Sequence, residues 1–297
     1  MKISAGINGF GRFGIHLLKY WLERERECNF CINYINDDHF TQEQIVKIIQ
    51  NDKYVSFSKY KIKSIDNFIR ILEPNGKIHK ILISNNNKNE IAWIGEPEFF
   101  FECSGKNTVK KDCELFLKNN TKLVIISATS WDADQTLIYG FNHEEFANSS
   151  QIISYGSCTV NAYVPLHNYL NKKYNIVNSD VNVIHNIQEY KVSENNTLIR
   201  KFCTLEKSAY NLIEGLNENN FLVNYTLIPY SGVSMIDFRF TLKNCPSKNE
   251  IIDDLENQIH DGKLKNIYGI IDKDLGPEVH NCTVFSSVFI KENIKII

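Results

Sequence analysis

A glycine-rich turn after the first apolar segment limits the folds that this chain can adopt. Residues 3–7 are apolar enough for a short buried strand, and residues 8–14 then read Asn-Gly-Phe-Gly-Arg-Phe-Gly. The apolar residues that follow recur at helical spacing, which predicts a helix directly after the turn. Such glycines let the backbone approach a pyrophosphate, and the helix N-terminus offers it N–H groups. Gly9, Gly11 and Gly14 therefore predict a dinucleotide-binding turn, with a glycine turn that binds nothing as the alternative.

Two carboxylates follow the second predicted strand, Cys31–Ile35, and support this interpretation. Asp37 lies at the distance beyond the third glycine where a carboxylate is expected to accept hydrogen bonds from the adenosine ribose. With Asp38 beside it, a 2′-phosphate would be repelled. The pair therefore predicts NAD rather than NADP as the cofactor.

The remaining patterns predict an α/β protein with two domains. In the first 157 residues, strands alternate with helices, which is typical of a mainly parallel sheet. The predicted strands are Lys2–Ile7, Cys31–Ile35, Phe99–Cys103 and Leu123–Ser127, with an antiparallel pair, Phe57–Leu72 and Lys77–Ile83, around a turn at residues 74–76. We therefore predict a Rossmann-type dinucleotide-binding domain at 1–157.

After Cys158 the pattern changes to longer strands with fewer helices. Helices are predicted at Val160–Tyr169, with Pro165 in its first turns, and at Leu205–Leu216. The predicted strands are Val181–Ile187, Phe221–Ile228, Val233–Leu242 and Asn281–Phe289. These segments predict an α+β domain with a mixed sheet at 158–297.

Composition excludes several functional classes. A formal net charge of −2 provides no basic field for nucleic acid or an anionic membrane, and no apolar run reaches membrane-spanning length. The N-terminus lacks the features of a signal peptide, so we expect a cytoplasmic protein with reduced thiols. Cys28 and Cys31 have neither a second cysteine pair nor nearby histidines, and we interpret them as ordinary thiols rather than a metal site.

A cysteine between two hydroxyl residues is the strongest candidate for chemistry. Residues 154–161 read Ser-Tyr-Gly-Ser-Cys-Thr-Val-Asn, and His185 lies on a predicted strand farther along the chain. A cysteine with a distant histidine as its base is a plausible arrangement for a thiolate nucleophile. The alternatives are a buried structural thiol at Cys158 and a core histidine at His185.

Together, these segments resemble the glyceraldehyde-3-phosphate dehydrogenase family, whose nucleophile lies in a Ser-Cys-Thr-Thr-Asn segment, and the resemblance runs along nearly the whole chain. It implies a reaction of glycolysis, the NAD-dependent oxidation of an aldehyde. The catalytic domain would begin at Cys158. Cys158 would form a thiohemiacetal, His185 would take its hydroxyl proton, and inorganic phosphate would cleave the thioester. A helix N-terminus and the imidazole are expected to lower the thiol pKa.

The resemblance also implies further site residues. Around the cofactor these are Arg12 and Phe13 along the pyrophosphate, Ser104 beneath it and Ser127 near the nicotinamide, in addition to the three glycines and Asp37. The phosphate group would be held by Ser157, Thr159 and Thr204.

Several positions depart from the family pattern. Leu227 and Gln188 replace an arginine and a threonine that grip the substrate's own phosphate, which predicts poor recognition of a phosphorylated aldehyde. The segment between His185 and Thr204 is shortened, so we expect a homo-oligomer that is a dimer or an altered tetramer. The chain stops at Ile297, before a segment that in the family orients the nicotinamide, so we expect weaker cofactor binding.

Two alternatives to an active phosphorylating enzyme therefore remain open. One is a degenerate relative that binds NAD or a partner without catalysis. The other is a dehydrogenase for a different, unphosphorylated aldehyde.

Overall fold

The structure of this chain is a computed structural model, which describes residues 2–24, 28–187, 192–193, 197–282 and 287–297. The chain forms two compact units. The first comprises Met1–Leu137 and Glu145–Gly156, and the second comprises Ile138–Glu144 and Ser157–Ile297. The predicted boundary differs from this division by one residue at 157, and the sequence did not predict that residues 138–144 join the second unit.

The first unit contains, within the described residues, a nine-stranded sheet with helices between its strands. The elements are β1 Ile3–Asn8, α1 Arg12–Glu23, β2 Phe30–Asn36, α2 Gln42–Asn51, β3 Lys61–Ile65, β4 Phe68–Leu72, β5 Ile78–Ser84, β6 Phe99–Glu102, α3 Lys110–Cys113, β7 Leu123–Ile126, β8 Gln135–Thr136 and β9 Ile152–Ser154. A short 3-10 turn lies at Glu114–Phe116, and another, at His143–Glu145, spans the point where the chain passes from the second unit back to the first. The strand order is β3-β4-β5-β2-β1-β6-β7-β9-β8.

The strand order reverses at β1, which pairs in parallel with β2 on one side and with β6 on the other. In such sheets ligands bind outside the carboxyl ends of the strands at this reversal. The antiparallel part is confined to β3, β4 and β5. The predicted α/β class is confirmed, with a mixed sheet.

One predicted strand, Phe57–Leu72, is wrong in detail, because the structure divides this segment into two strands. Asp66 has a φ of 52° and forms the turn between β3 and β4. Asp and Asn tolerate this left-handed backbone better than other residues do, so the Asp66-Asn67 pair carried the signal for a turn.

The second unit contains a four-stranded mixed sheet, ordered β11-β12-β10-β13, and a parallel pair, β14-β15, within the described residues. The elements are α4 Cys158–Tyr174, β10 Ile176–His185, β11 Ile199–Arg200, α5 Thr204–Leu212, β12 Phe221–Leu227, β13 Met235–Leu242, α6 Lys248–His260, β14 Tyr268–Ile271, α7 Pro277–His280 and β15 Ser287–Ile290, with a 3-10 turn at Lys291–Asn293. Strand β10 is parallel to β12 and antiparallel to β13. The mixed sheet predicted for this half is confirmed.

Helix α6 was missed by the sequence analysis. Its start is a capping box, in which the Ser247 hydroxyl accepts from the Glu250 N–H while the Glu250 carboxylate accepts from the Ser247 N–H. This Ser-x-x-Glu spacing was visible in the sequence and should have predicted a helix start. The predicted strand at Asn281–Phe289 is also wrong at its start, because Asn281 ends helix α7, while β15 covers Ser287–Ile290 and residues 283–286 lie outside the described residues.

Pro165 lies in the interior of α4 rather than in its first turns, where the sequence analysis had placed it. A proline there removes a backbone donor and disturbs the helical hydrogen-bond ladder. The Tyr268 hydroxyl repairs the ladder next to it, because it donates to the Ala162 carbonyl (3.0 Å) and accepts from the Leu166 N–H (3.0 Å). Burial raises the pKa of Tyr268, which keeps this hydroxyl protonated. A side chain from β14 is thus inserted into the helix that begins at Cys158.

The core of the second unit lies behind the first turns of α4. Val160 and Tyr163 on α4 pack with Val181 and Val183 on β10 and with Leu205 on α5. All five side chains are buried, so the direction of α4 relative to the sheet is fixed by apolar packing. Among the described residues, every helix is too short or too polar to cross a lipid bilayer.

Candidate dinucleotide and thiol sites

The glycine turn after β1 has the geometry that a dinucleotide requires. Gly9 has a φ of +95°, and a Cβ there would lie 2.4 Å from the backbone nitrogen of Ser104. A Cβ on Gly14 would lie 2.4 Å from the Gly9 carbonyl oxygen, whereas a Cβ on Gly11 would meet no atom within 4 Å. Gly9 and Gly14 are therefore required by the fold itself. Gly11 leaves open space at the start of α1, where a pyrophosphate would approach.

Within the part of the chain that the structure describes, no side chain caps the N-terminus of α1, and no acidic residue lies in its first turn. The helix start can therefore accept an anion. Arg12, expected along the pyrophosphate, pairs instead with Asp52 through Nη1 and Oδ1 at 2.9 Å and lies over the Tyr54 ring. Phe13 is exposed. The contacts of Arg12 and Phe13 with a cofactor remain predictions.

Asp37 is buried and both of its carboxylate oxygens are occupied. Oδ2 accepts from the Phe10 N–H at 2.7 Å, and Oδ1 accepts from the N–H groups of His39 (2.9 Å) and Phe40 (3.0 Å). The carboxylate therefore ties the glycine turn to the loop after β2. Its predicted contact with the ribose remains a prediction.

A cavity of about 120 Å³ opens beside the glycine turn, at the carboxyl ends of β1 and β6. Its wall consists of Gly9, Ser104, four asparagines and three charged residues, Asp38, Lys88 and Lys106. Asp37 is not part of this wall. The cavity is polar and lies where the strand order reverses, so its position fits the predicted dinucleotide site. Ser127, predicted near the nicotinamide, lies directly after β7 and donates its N–H to the Glu102 carbonyl at 2.9 Å.

A chain of polar side chains joins the last residues of four neighbouring strands. Asn8 on β1 donates to Glu102 on β6 at 2.7 Å and accepts from Asn36 on β2 at 2.9 Å, and Asn36 accepts from Ser84 on β5 at 2.7 Å. Glu102 also accepts from the backbone N–H of Ser104 at 2.9 Å. Burial raises the pKa of Glu102, although these donors oppose the shift. This network, which the sequence analysis missed, fixes the edge of the sheet below the cavity.

The candidate nucleophile lies at the first residue of α4. Ser157 caps this helix by accepting from the Val160 N–H at 3.3 Å, and the backbone N–H groups of Cys158 and Thr159 act to lower the pKa of the Cys158 thiol. Sγ of Cys158 lies 3.4 Å from Nε2 of His185. The structure thus brings together the two residues that the sequence analysis selected.

The tautomer of His185 follows from its other ring nitrogen. Nδ1 lies 2.6 Å from the backbone carbonyl oxygen of Asn186, which can only accept a hydrogen bond. Nδ1 therefore carries the proton and Nε2 presents its lone pair to the thiol of Cys158. This arrangement suits a general base.

The pKa of Cys158 differs from the prediction. The thiol is accessible to solvent, but the surrounding protein desolvates it enough to raise its pKa, and the two N–H groups only partly offset this. Burial also lowers the pKa of His185. The prediction of a lowered thiol pKa is therefore wrong. At neutral pH the two residues form an uncharged thiol–imidazole pair, and Nε2 must take the proton when sulfur attacks.

Ser234 forms two hydrogen bonds with Asn186, the residue that follows His185. Its hydroxyl accepts from the Asn186 N–H at 3.3 Å and donates to Asn186 Oδ1 at 2.8 Å. These two bonds hold the N–H and the side chain of Asn186, the residue whose backbone carbonyl orients the His185 ring. No role for Ser234 was predicted from the sequence.

The three predicted phosphate-binding hydroxyls lie at two helix starts. The Ser157 and Thr159 hydroxyls are 2.9 Å apart, and the Thr159 hydroxyl lies 3.8 Å from Sγ of Cys203, the residue before Thr204. Thr204 is the first residue of α5, so the N-termini of α4 and α5 come together. Two converging helix N-termini favour an anion. Thr159 is buried, and the contacts of these three hydroxyls with a phosphate remain predictions.

Comparison with known proteins gives a consistent result at low identity. No protein-family model matches the chain. It is 26% identical to the cytosolic glyceraldehyde-3-phosphate dehydrogenase of Taxus baccata over 290 residues, covering 92% of this chain and 83% of that one. The glyceraldehyde-3-phosphate dehydrogenase of Mastigamoeba balamuthi is also 26% identical, covering 93% and 84%. Glyceraldehyde-3-phosphate dehydrogenase 4 of Caenorhabditis elegans is 30% identical over 187 residues, covering 62% and 54%.

The chain is a divergent relative of the glyceraldehyde-3-phosphate dehydrogenases. The divergence is visible in the thiol site. Leu227 on β12 lies directly opposite His185 on β10 and Ile199 on β11, so an apolar side chain occupies a place beside the histidine. Gln188, the other departure from the glyceraldehyde-3-phosphate dehydrogenase pattern, lies outside the described residues.

Tyr225 adds to this apolar wall. It lies two residues before Leu227 on the same face of β12, and its ring centroid is 5.3 Å from that of His185. Burial raises the pKa of Tyr225, so its hydroxyl stays neutral. The sequence analysis did not select Tyr225, because its proximity to His185 depends on how β12 pairs with β10.

Proposed function

We propose that this chain is an NAD-dependent aldehyde dehydrogenase that forms a thiohemiacetal and then a thioester on Cys158. The distance of 3.4 Å between Sγ of Cys158 and Nε2 of His185 carries this proposal. It is supported by the Asn186 carbonyl, which leaves Nε2 as the basic nitrogen.

The two side chains divide the chemistry between them. Sulfur attacks the carbonyl carbon of the aldehyde, the C–S bond forms, and the thiol proton passes to Nε2 of His185 and from there to the new oxygen. Nε2 takes the hydroxyl proton back as the same carbon is oxidised to the thioester. Bound NAD would supply the hydride acceptor. A thioester keeps the acyl group activated for the attacking phosphate oxygen, whose attack breaks the C–S bond.

The residues present fit a dinucleotide. We propose that the turn of Gly9, Gly11 and Gly14 takes the pyrophosphate at the start of α1, where a side chain at position 11 would stand in open space. Asp37, Ser104 and Ser127, with Arg12 and Phe13, complete the proposed cofactor contacts. For inorganic phosphate, we propose Ser157, Thr159 and Thr204 at the two converging helix starts.

The substrate is proposed to be an aldehyde without a phosphate group of its own. Leu227 and Tyr225 place apolar surface next to His185, and a leucine cannot form charge-assisted hydrogen bonds with a phosphate. The raised pKa of Cys158 favours one alternative, a relative that binds the dinucleotide without turnover. We further propose a homo-oligomer in the cytoplasm, as a dimer or an altered tetramer, which light scattering can test.

Two measurements test the proposed function. The first is NADH formation from glyceraldehyde 3-phosphate, glyceraldehyde and simpler aldehydes, with and without inorganic phosphate. The second is intact mass after exposure to NAD and aldehyde without phosphate, which should reveal an acyl group on the protein. Cys158→Ser should abolish both signals, while the control Cys245→Ser, at another exposed thiol, should keep them. NAD binding with neither signal would establish the binding-only alternative.

A further inference from the structure

An ion pair crosses the wall of the cavity beside the glycine turn. Nζ of Lys106 lies 2.8 and 2.6 Å from the two carboxylate oxygens of Asp38. Both residues are part of the cavity wall. Asp38 follows the second strand, β2, where a carboxylate ordinarily meets the ribose hydroxyls of a dinucleotide. The negative charge at this place is therefore matched by a lysine from the loop after β6.

Asp37, the carboxylate next to Asp38, does not add a negative charge to the cavity wall. Asp37 is not part of the cavity wall, and its oxygens accept three backbone N–H groups. A second lysine, Lys88, also lines the cavity and pairs with Asp112 at 2.9 Å. The charged side chains of the wall are thus two lysines and one aspartate. The sequence predicts that Asp37 and Asp38 repel a 2′-phosphate. In the cavity wall, however, Asp38 is matched by Lys106 and Asp37 is not present, so no unmatched carboxylate remains there to repel it.

We propose that Lys106 determines how this chain distinguishes an unmodified adenosine ribose from one that carries a 2′-phosphate. Paired with Asp38, Lys106 neutralises the carboxylate that would exclude the phosphate. Released from Asp38, the same ammonium group reaches a dianion in the cavity, with Lys88 as a second cation. The chain therefore binds NADP as well as NAD. This inference rests on the proposed function, because it assumes that the cavity receives the adenosine end of a dinucleotide.

Two substitutions should shift selectivity in opposite directions. Lys106→Met leaves Asp38 unpaired, so NADP affinity should fall by about ten- to a hundredfold, while NAD affinity changes little. Asp38→Asn releases Lys106 without removing a charge-assisted donor, so the preference should move toward NADP. For the unaltered protein we expect the two dissociation constants to lie within about tenfold of each other.

Calorimetry on the full chain measures these affinities without requiring turnover. NAD and NADP are compared first, and then 5′-AMP and adenosine 2′,5′-bisphosphate, which isolate the adenosine end. Lys122→Met is the matched control, because Lys122 pairs with Glu98 and is not part of the cavity wall. It should leave all four affinities unchanged.

The possible outcomes separate the two proposals. NAD binding with strong exclusion of NADP, unchanged in Lys106→Met and Asp38→Asn, would overturn the role of Lys106 and leave the proposed function intact. Binding of neither dinucleotide would overturn both. Opposite shifts in the two variants, with Lys122→Met unchanged, are the result that we expect.

Discussion

Sγ of Cys158 lies 3.4 Å from Nε2 of His185, and the opposite ring nitrogen of this histidine is held by a backbone carbonyl. Because burial raises the pKa of the thiol and lowers that of the imidazole, the pair is uncharged near neutral pH. The thiolate must therefore be generated during the attack, with His185 as the base. This differs from a site that stores a thiolate in advance.

We predict that Cys158 is the most reactive thiol of the chain, because Nε2 of His185 lies 3.4 Å away to take its proton, and that its reactivity rises with pH. The raised pKa keeps most of the thiol protonated at neutral pH, so the rate should increase toward the alkaline side. Limiting iodoacetamide followed by peptide mapping at several pH values measures this. His185→Asn should slow labelling of Cys158, whereas labelling of the exposed Cys245 should stay the same. Preferential labelling of Cys28 or Cys31 would contradict the assignment.

Replacing Leu227 by arginine should create recognition of a phosphorylated aldehyde. A charge-assisted contact beside His185 is expected to raise kcat/KM for glyceraldehyde 3-phosphate by about ten- to a hundredfold. Steady-state kinetics with glyceraldehyde as the second substrate gives the ratio. Leu222→Arg is the control, because Leu222 is an exposed residue of the same strand. A strong preference of the unaltered protein for the phosphorylated substrate would show that another cation fills this role.

Ser234→Ala should impair the thiol site without touching its reacting atoms. Loss of the two hydrogen bonds between Ser234 and Asn186 frees the carbonyl that orients His185. We expect kcat to fall about tenfold with little change in KM, and the pH profile of Cys158 labelling to shift. Ser234→Thr, which keeps the hydroxyl, should recover most of the activity. An equal loss in both variants would indicate a packing effect instead.

Stability should fall as the pH drops toward 4, in part because of His167. Burial lowers the pKa of His167 to about 4, and its Nδ1 has no hydrogen-bond partner among the described residues. The folded state therefore holds the neutral ring, while the unfolded chain takes up a proton below its ordinary pKa. Stability is full above the unfolded pKa and is lost as the pH falls toward 4, by up to about 3 kcal/mol.

Urea unfolding near pH 7.5 and near pH 5 tests this, with His167→Phe expected to reduce the difference between the two. The dependence should not vanish, because burial also lowers the pKa values of His16 and His79. His260→Gln, at an exposed histidine, should leave the dependence as it is. The same pH dependence in His167→Phe and the unaltered protein would refute the role of His167.

Tyr268→Phe should destabilise the second unit through α4. The substitution removes the hydroxyl between Ala162 and Leu166 and leaves a buried donor and acceptor unpaired. The expected loss is about 1–3 kcal/mol in the free energy of unfolding, measured in urea. Tyr20→Phe, at an exposed tyrosine, should change it little. An unchanged value for Tyr268→Phe would mean that α4 closes its own ladder.

Local signals explain which parts of the fold the sequence predicted. The strand, glycine turn and first helix are encoded within residues 3–24, and the structure confirms them because each step depends on near neighbours. Helix α6 was missed although Ser247 and Glu250 displayed its start, so this omission was avoidable. The split between β3 and β4 depended on the Asp66-Asn67 pair, a weaker signal.

The site was predictable where chemistry determines the residue type, and not where the fold determines the environment. Cys158 and His185 were selected from their types, and the structure places them together. The occupied oxygens of Asp37 could not be predicted, because three backbone groups of a folded loop supply the donors. The direction of the Cys158 pKa shift could not be predicted either, since it depends on protein packed around the sulfur.

The insertion of Tyr268 into α4 has a consequence for the order in which parts of the chain can fold. The candidate nucleophile begins a helix in which the link between Leu166 and Ala162 runs through the hydroxyl of Tyr268, more than a hundred residues later in the chain. During synthesis, this part of α4 can therefore take its final hydrogen bonding only after β14 has been made. A chain interrupted before Tyr268 lacks the hydroxyl that joins these two residues.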